Sequence, residues 1–317
     1  MSPLPDQGFF SFIVSLWVRA FLFLTGQIHP QDLVIEDLQF WALILSGLIG
    51  LFLGFYLIYN KMTMVANSLS HTILLGLIVV FMGLKLINIS IGIENIPFIY
   101  QLAASVFTAF ITLISLNYLS KRVSLEAANA FSFTAFFALG ILLSSVYLKN
   151  THLGLESVLG NLEALNFIDI IRLLSALVIV VLFITLFKTR LSVSSFDQLF
   201  AKSLGVNTDN YRQALVLIAS LCLMVCFRSL GVILILSLLT APVLITRLFH
   251  ADRKKIFLWG AVVVLVQTTL CLGLVHFLYI KFNLPVSTSG LFGFLGLVGY
   301  LLSLRIRTLI STFRTAK

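Results

Sequence analysis

Apolar residues run through this chain in long unbroken blocks, and polar residues collect in the short gaps between them. A helix needs about 20 apolar residues to cross a bilayer. By that measure spans are expected near 38–59, 65–86, 98–119, 127–148, 168–187, 213–228, 230–248, 256–280 and 288–306. The blocks are continuous rather than alternating, so the strands of a membrane barrel fit them poorly. The pair that meets at Arg228-Ser229-Leu230-Gly231 is short on both sides, which leaves open two spans or one broken, re-entrant element. Residues 8–24 are apolar but short and interrupted by Arg19, a pattern that favours an interfacial helix over a full crossing. The expected fold is an all-α polytopic membrane protein with eight or nine transmembrane helices, and one more if the N-terminal segment crosses. It is read as a single transmembrane domain over 1–317, with 1–37 as its N-terminal segment.

Composition agrees. Apolar residues make up 60% of the chain and charged residues 10%, against roughly 25% charged in soluble domains; the mean hydropathy is +1.09. The net charge of +9 invites a nucleic-acid partner. That reading is rejected, because the basic residues sit at the ends of apolar blocks, where membrane topology places them. With the 60–64 turn on the cytoplasmic side, fifteen of the 21 Lys and Arg fall on that face. They run from Lys61, Lys121 and Arg122 to Arg305, Arg307 and Lys317. The other six are Arg19, Lys85, Lys149, Arg172, Arg228 and Lys281. The C-terminus is therefore expected in the cytoplasm. Met1-Ser2-Pro3-Leu4-Pro5-Asp6 has no basic region of the kind that opens a cleaved signal peptide. Cys222, Cys226 and Cys271 all lie inside apolar blocks, with neither metal spacing nor a disulfide framework, and read as small packing residues.

Some positions carry finer information. Ser46, Gly50 and Gly54 recur every four residues with Gly47 beside them, a stripe that lets helices pack backbone to backbone. The outward segment 149–167 holds His152, Glu156, Gly160, Asn161 and Glu163. The cytoplasmic segment 188–212 is expected as a loop carrying a short amphipathic helix. Phe196, Phe200 and Leu204 repeat at four-residue spacing, Asp197 stands at its start, and Gly205 is placed as its stop. An apolar face exposed to the cytoplasm suggests a docking surface for another protein; a helix lying on lipid headgroups is the alternative.

The span at 65–86 opens on Asn67-Ser68-Leu69-Ser70-His71. On a helix, Asn67, Ser70 and His71 share one face. An ionisable group inside an apolar span marks a candidate site, and imidazole is a common transition-metal ligand. A histidine that merely bonds a neighbouring helix remains the bland alternative, and His276 stands open in the same way. His29, His152 and His250 read as surface residues. Ser237, Thr240 and Pro242 read as packing, with hydroxyls re-satisfying backbone that proline leaves unpaired.

Several chemistries are absent. No lysine follows a glycine, so no P-loop exists, and any ATP drive must come from a partner. There is no zinc-protease signature, no serine nucleophile elbow and no pair of intramembrane carboxylates, which argues against an enzyme. Acidic groups at spans are few, Glu126 and Asp169 opening two of them. That counts against a secondary, proton-coupled metal carrier, the alternative transporter class.

Four blocks together resemble the permeases of the bacterial ABC importers for manganese, zinc and iron, the ABC-3 family, from about residue 38 to 306. The first runs from Tyr59-Asn60-Lys61-Met62 through Asn67-Ser68-Leu69-Ser70-His71 to Gly76. The second is Phe131-Ser132 through Phe137-Ala138-Leu139-Gly140-Ile141-Leu142-Leu143-Ser144, with Gly160-Asn161. The third is Phe196-Asp197 through Ala201, Leu204 and Gly205. The fourth is Arg228-Ser229-Leu230-Gly231-Val232 through Ala241-Pro242, with Leu284-Pro285. The resemblance implies a type II ABC importer permease-like bundle in a bacterial cytoplasmic (inner) membrane. It implies two permeases forming the pathway, two cytoplasmic ABC ATPase subunits and an extracytoplasmic metal-binding protein. Phe196, Asp197, Phe200, Ala201, Leu204 and Gly205 would couple to the ATPase. Asn67 and His71 would meet the passing cation near the outer gate. No cofactor is permanently bound; the divalent ion is cargo. Two departures matter. Asn67 stands where the family has Asp, and Leu75 where it has Pro before Gly76. A neutral amide is a poorer ligand than a carboxylate. A heterodimer whose second permease supplies the carboxylate is expected, with a homodimer as its competitor.

Overall fold

A computed structural model describes residues 8–86, 98–147, 162, 165–196, 198–205 and 207–315. Among them the chain is helical throughout. The helices are α1 (Phe9–Leu24), α2 (Ile35–Tyr59), α3 (Thr63–Leu86), α4 (Phe98–Leu119), α5 (Leu125–Tyr147) and α6 (Phe167–Phe196). They continue with α7 (Gln198–Ser203), α8 (Thr208–Leu230), α9 (Val232–Arg247), α10 (Arg253–Phe282) and α11 (Thr288–Thr315). Eight of these, all but α1, α7 and α9, are long and apolar enough to cross a membrane. In the bilayer only structures that satisfy their own backbone are stable, and uninterrupted helices do so.

Two expected boundaries move. Residues 188–196 do not form a loop; they continue α6 to a length of 30 residues. The serines of this stretch are satisfied inside the helix. Ser192 donates to Lys188 O (2.6 Å), and Ser194 and Ser195 donate to Leu191 O (3.3 and 2.6 Å). The expected span at 230–248 becomes α9, only 16 residues. That is about 24 Å at 1.5 Å per residue, against a hydrocarbon core of roughly 30 Å. The break before it is Gly231, whose φ of +82° is open to glycine and strained for other residues. The last carbonyl of α8, Leu230 O, accepts from Ser289 Oγ at 3.4 Å.

The chain divides into two compact units: Met1–Phe55 with Asn161–Val178 and Ser229–Lys317, and Tyr56–Gly160 with Ile179–Arg228. In the first, α1 packs on α10, α9 packs on α10 and α11, and α10 packs on α11. Lipid offers no hydrophobic drive between helices, so close van der Waals contact must hold them. The stripe on α2 supplies it. A Cβ on Gly50 would lie 2.9 Å from the Leu238 carbonyl of α9, and one on Gly54 would overlap the Leu239 carbonyl oxygen. Pro242 explains why that carbonyl edge is exposed to a neighbour. It lies inside α9 and has no N–H for the carbonyl four residues back, Leu238 O. The missing side chains at Gly50 and Gly54 let the α2 backbone approach that edge. Gln267 then ties α10 to α11 by donating to Phe292 O at 3.0 Å.

The second unit is built on α3, which packs on α4 and α5, with α4 also on α5. Gly76 lets α4 approach: a Cβ there would lie 2.6 Å from Ala104 O and 2.5 Å from the Thr108 methyl. Gly140 does the same from α5, opposite Leu75. Hydroxyls cross-link the helices, Ser115 with Ser132 at 2.7 Å and Ser220 to Ser105 O at 2.8 Å.

Candidate functional site

Asn67 and His71 both lie on α3, a helix that runs unbroken from Thr63 to Leu86. The His71 and Ser70 side chains lie outside what is described. His71 is the ninth residue of the helix, about 12 Å from its start at 1.5 Å per residue. The start follows the Lys61 turn and is the cytoplasmic end in the orientation read from Lys and Arg, so Asn67 and His71 fall in the cytoplasmic half of α3 rather than near the outer gate where the resemblance put them. Asn67 is half-buried, and Ser68 and Thr72 beside it are buried. Thr72 Oγ1 donates to Ser68 O, whereas Ser68 Oγ is buried with no hydrogen-bond partner among the described residues. The helix face is therefore polar around His71, held in place by Gly76 against α4 and Gly140 against α5.

Leu75 has a local consequence that the sequence pattern alone does not show. In a continuous α-helix the N–H of residue 75 bonds the carbonyl of residue 71. With leucine there, the His71 carbonyl is engaged within α3; a proline would leave it open. Among the described residues no group of three or more His, Cys, Asp and Glu is assembled.

The second set of expected residues lies at the junction of α6, α7 and α8. Phe196 is the last residue of the long α6 rather than the first of a short helix. Asp197 and the Phe196 side chain lie outside what is described. Within α7 and its exit, Ala201 is fully buried while Phe200 and Leu204 are 54% and 58% exposed. Gly205 turns the chain with φ +73°. The short element thus anchors by its alanine and presents two large apolar side chains to the outside. Sequence reasoning missed what braces this junction. Asn60, in the turn before α3, donates to Tyr56 O and to Ser195 Oγ, both at 2.8 Å. Lys61 next to it takes φ +56°. The sequence signal was slight: an asparagine in the short gap between two apolar blocks, a residue type common in turns. The turn that leads into the His71 helix is therefore bonded directly to the end of α6, where α7 begins.

The model of the ABC 3 transport family matches residues 36–306 of the chain. The chain belongs to that family. It is 30% identical over 292 residues to a Chlamydia pneumoniae protein named "Probable metal transport system membrane protein", covering 92% of this chain and 87% of that one. The manganese transport system membrane protein MntB of Synechocystis sp. is 27% identical over 277 residues, 86% of this chain and 83% of its own. Among solved structures, PsaBC from Streptococcus pneumoniae in complex with Fab shares the fold, with a TM-score of 0.69 at 21% identity over 86% of this chain and 92% of that chain. This ABC 3 chain is a multi-pass membrane permease, the subunit of an ABC transporter that has no ATPase domain.

Proposed function

We propose that this permease forms the membrane pathway of an ATP-driven importer for a divalent transition metal in a bacterial cytoplasmic membrane, with manganese as the favoured cargo. The observation that carries the reading is the family match across residues 36–306. A relative aligned over 86% of the chain is named a manganese transport protein, which supports the choice of cargo. His71 offers the passing ion an imidazole, and Asn67 an amide oxygen one turn before it. Neither residue brings negative charge, so a second permease supplies the carboxylate that this face of α3 lacks. Two cytoplasmic ATPases drive the pair of permeases, one docking on the exposed Phe200 and Leu204 of this chain, with Phe196, Asp197, Ala201 and Gly205 shaping the contact. The Asn60–Ser195 bond gives that docking site a direct mechanical link to the turn before α3. ATP-driven movement at α7 then biases α3 between arrangements that face either side, the two-state element that alternating access needs. An extracytoplasmic binding protein delivers the ion.

The test is Mn²⁺ uptake in proteoliposomes holding this chain, its partner permease and the ATPase. Uptake is expected to require ATP and to fall at least about tenfold in His71→Ala, the scale on which metal-site ligands act. Uptake by this chain without any ATPase overturns the reading in favour of a secondary carrier. ATP-dependent uptake indifferent to His71 removes the histidine from the path and keeps the importer. The coupling half has its own readout. Phe200→Ser with Leu204→Ser is expected to abolish co-purification of the ATPase while the permease stays monodisperse, because both side chains are exposed and hold no core.

A further inference from the structure

At one end of the first unit lies a cleft of about 730 Å³. The start of α2, the end of α10 and the 284–288 segment enclose it. In the orientation read from Lys and Arg this end faces outward. Two adjacent carboxylates sit here with opposite environments. Asp37 is 4% exposed and fully engaged. It accepts from Arg19 Nε at 3.1 and 2.9 Å, from Arg19 Nη2 at 2.6 Å, and from the Val34 N–H at 3.1 Å. Arg19 Nη2 also reaches Asp32 O at 3.2 Å, so the nearby guanidinium is committed. Glu36 lines the cleft, and its Oε2 is buried with no hydrogen-bond partner among the described residues. An unmatched buried carboxylate oxygen is expensive and rare, and it calls for a cation or donor that the described residues do not provide.

His276 lines the same cleft. Its ring is stacked on Phe12 with centroids 3.8 Å apart and planes 14° from parallel, which fixes the imidazole before any ligand arrives. Gln39 lines it too, and its Nε2 is committed to Leu162 O at 3.2 Å, leaving the amide oxygen as its ligand atom. The Ser287 hydroxyl stands on the loop side. One carboxylate, one imidazole and neutral oxygens form a mixed oxygen and nitrogen set. Such a set suits manganese, iron or zinc better than the all-oxygen set that calcium takes or the sulfur set that copper(I) takes. We propose that this cleft is a receiving site for the transported divalent metal, with Glu36 and His276 as its ligands. The proposal rests on the importer reading above. Two strong protein ligands, with the remaining positions left to water, make a site an ion can enter and leave, as a transit site requires.

Two measurements test it. In the proteoliposome system, Glu36→Gln and His276→Gln are each expected to raise the half-saturating Mn²⁺ concentration about tenfold or more. Val286→Trp, on the loop that closes the cleft, is expected to do the same by filling it. Curves that superimpose on the unaltered protein overturn the site. In purified permease carrying His71→Ala, electron paramagnetic resonance is expected to show bound Mn²⁺ that is lost on adding Glu36→Gln. Absence of that bound ion overturns the site even where a variant cannot be assembled for transport. Failure of the unaltered system to take up Mn²⁺ with ATP counts against the importer reading instead, and the resonance measurement still decides the cleft.

Discussion

The middle of α2 and its outer end are built from the same helix and do opposite things. In the middle, Gly50 and Gly54 bring α2 onto the carbonyls of α9 so closely that not even a methyl group fits at Gly54. At the outer end, Glu36 faces a cleft with a buried oxygen that nothing in the described chain matches. Asp37, one residue on, is locked to Arg19. The contrast shows how a membrane bundle separates its tasks along one helix. Where helices must hold without help from the hydrophobic effect, side chains are removed until the backbones meet. Where an ion is to be met, a polar group is kept unsatisfied and its cost is tolerated.

The largest effect is expected on the closed side. Gly54→Ala should push α2 off α9 and cost roughly 3 kcal/mol or more, at the upper end of overpacking effects; thermal unfolding in detergent measures it. If Gly54→Ala melts with the unaltered protein, the backbone contact is not what holds these helices. The boundary between the two regions is the Arg19–Asp37 pair. Asp37→Asn leaves a half-buried guanidinium without its carboxylate and should cost about 1–3 kcal/mol, below the full buried-pair value because Arg19 keeps contact with water. Replacing both partners, Arg19→Met with Asp37→Leu, should recover much of that loss, and no recovery would mean that the pair is more than a clasp for α1. The smallest effect on stability belongs to the open side. Glu36→Gln should leave unfolding unchanged or raise stability slightly, since it removes the charge from a buried oxygen and takes away no hydrogen bond to Oε2. A large loss of stability would make Glu36 a structural residue and remove it from the cleft's chemistry.

Much of this was legible in the chain. The small-residue stripe at Ser46, Gly50 and Gly54 read as a backbone-to-backbone contact, and its partner proved to be the proline-bearing α9. The spans followed from apolar length, because a bilayer fixes how much apolar helix is needed to cross it. The family resemblance was carried by residues that keep their order and spacing, and the match over residues 36–306 agrees with it. The end of α6 was not legible. The polar segment from residue 188 reads as a loop until the hydroxyls of Ser192, Ser194 and Ser195 are seen returning to the carbonyls of the same helix.

By itself the sequence determined the class of molecule, the number of candidate crossings to within one or two, and the family. These depend on properties that add along the chain, namely length, hydropathy and charge, together with local motifs. The tertiary structure decided which of two neighbouring acids is spent on an ion pair, which carbonyl the glycines meet, and that His276, far from Glu36 in sequence, lines the same cleft. Those outcomes depend on which distant segments pack together. A carboxylate's partner, unlike its charge, is set by the fold around it.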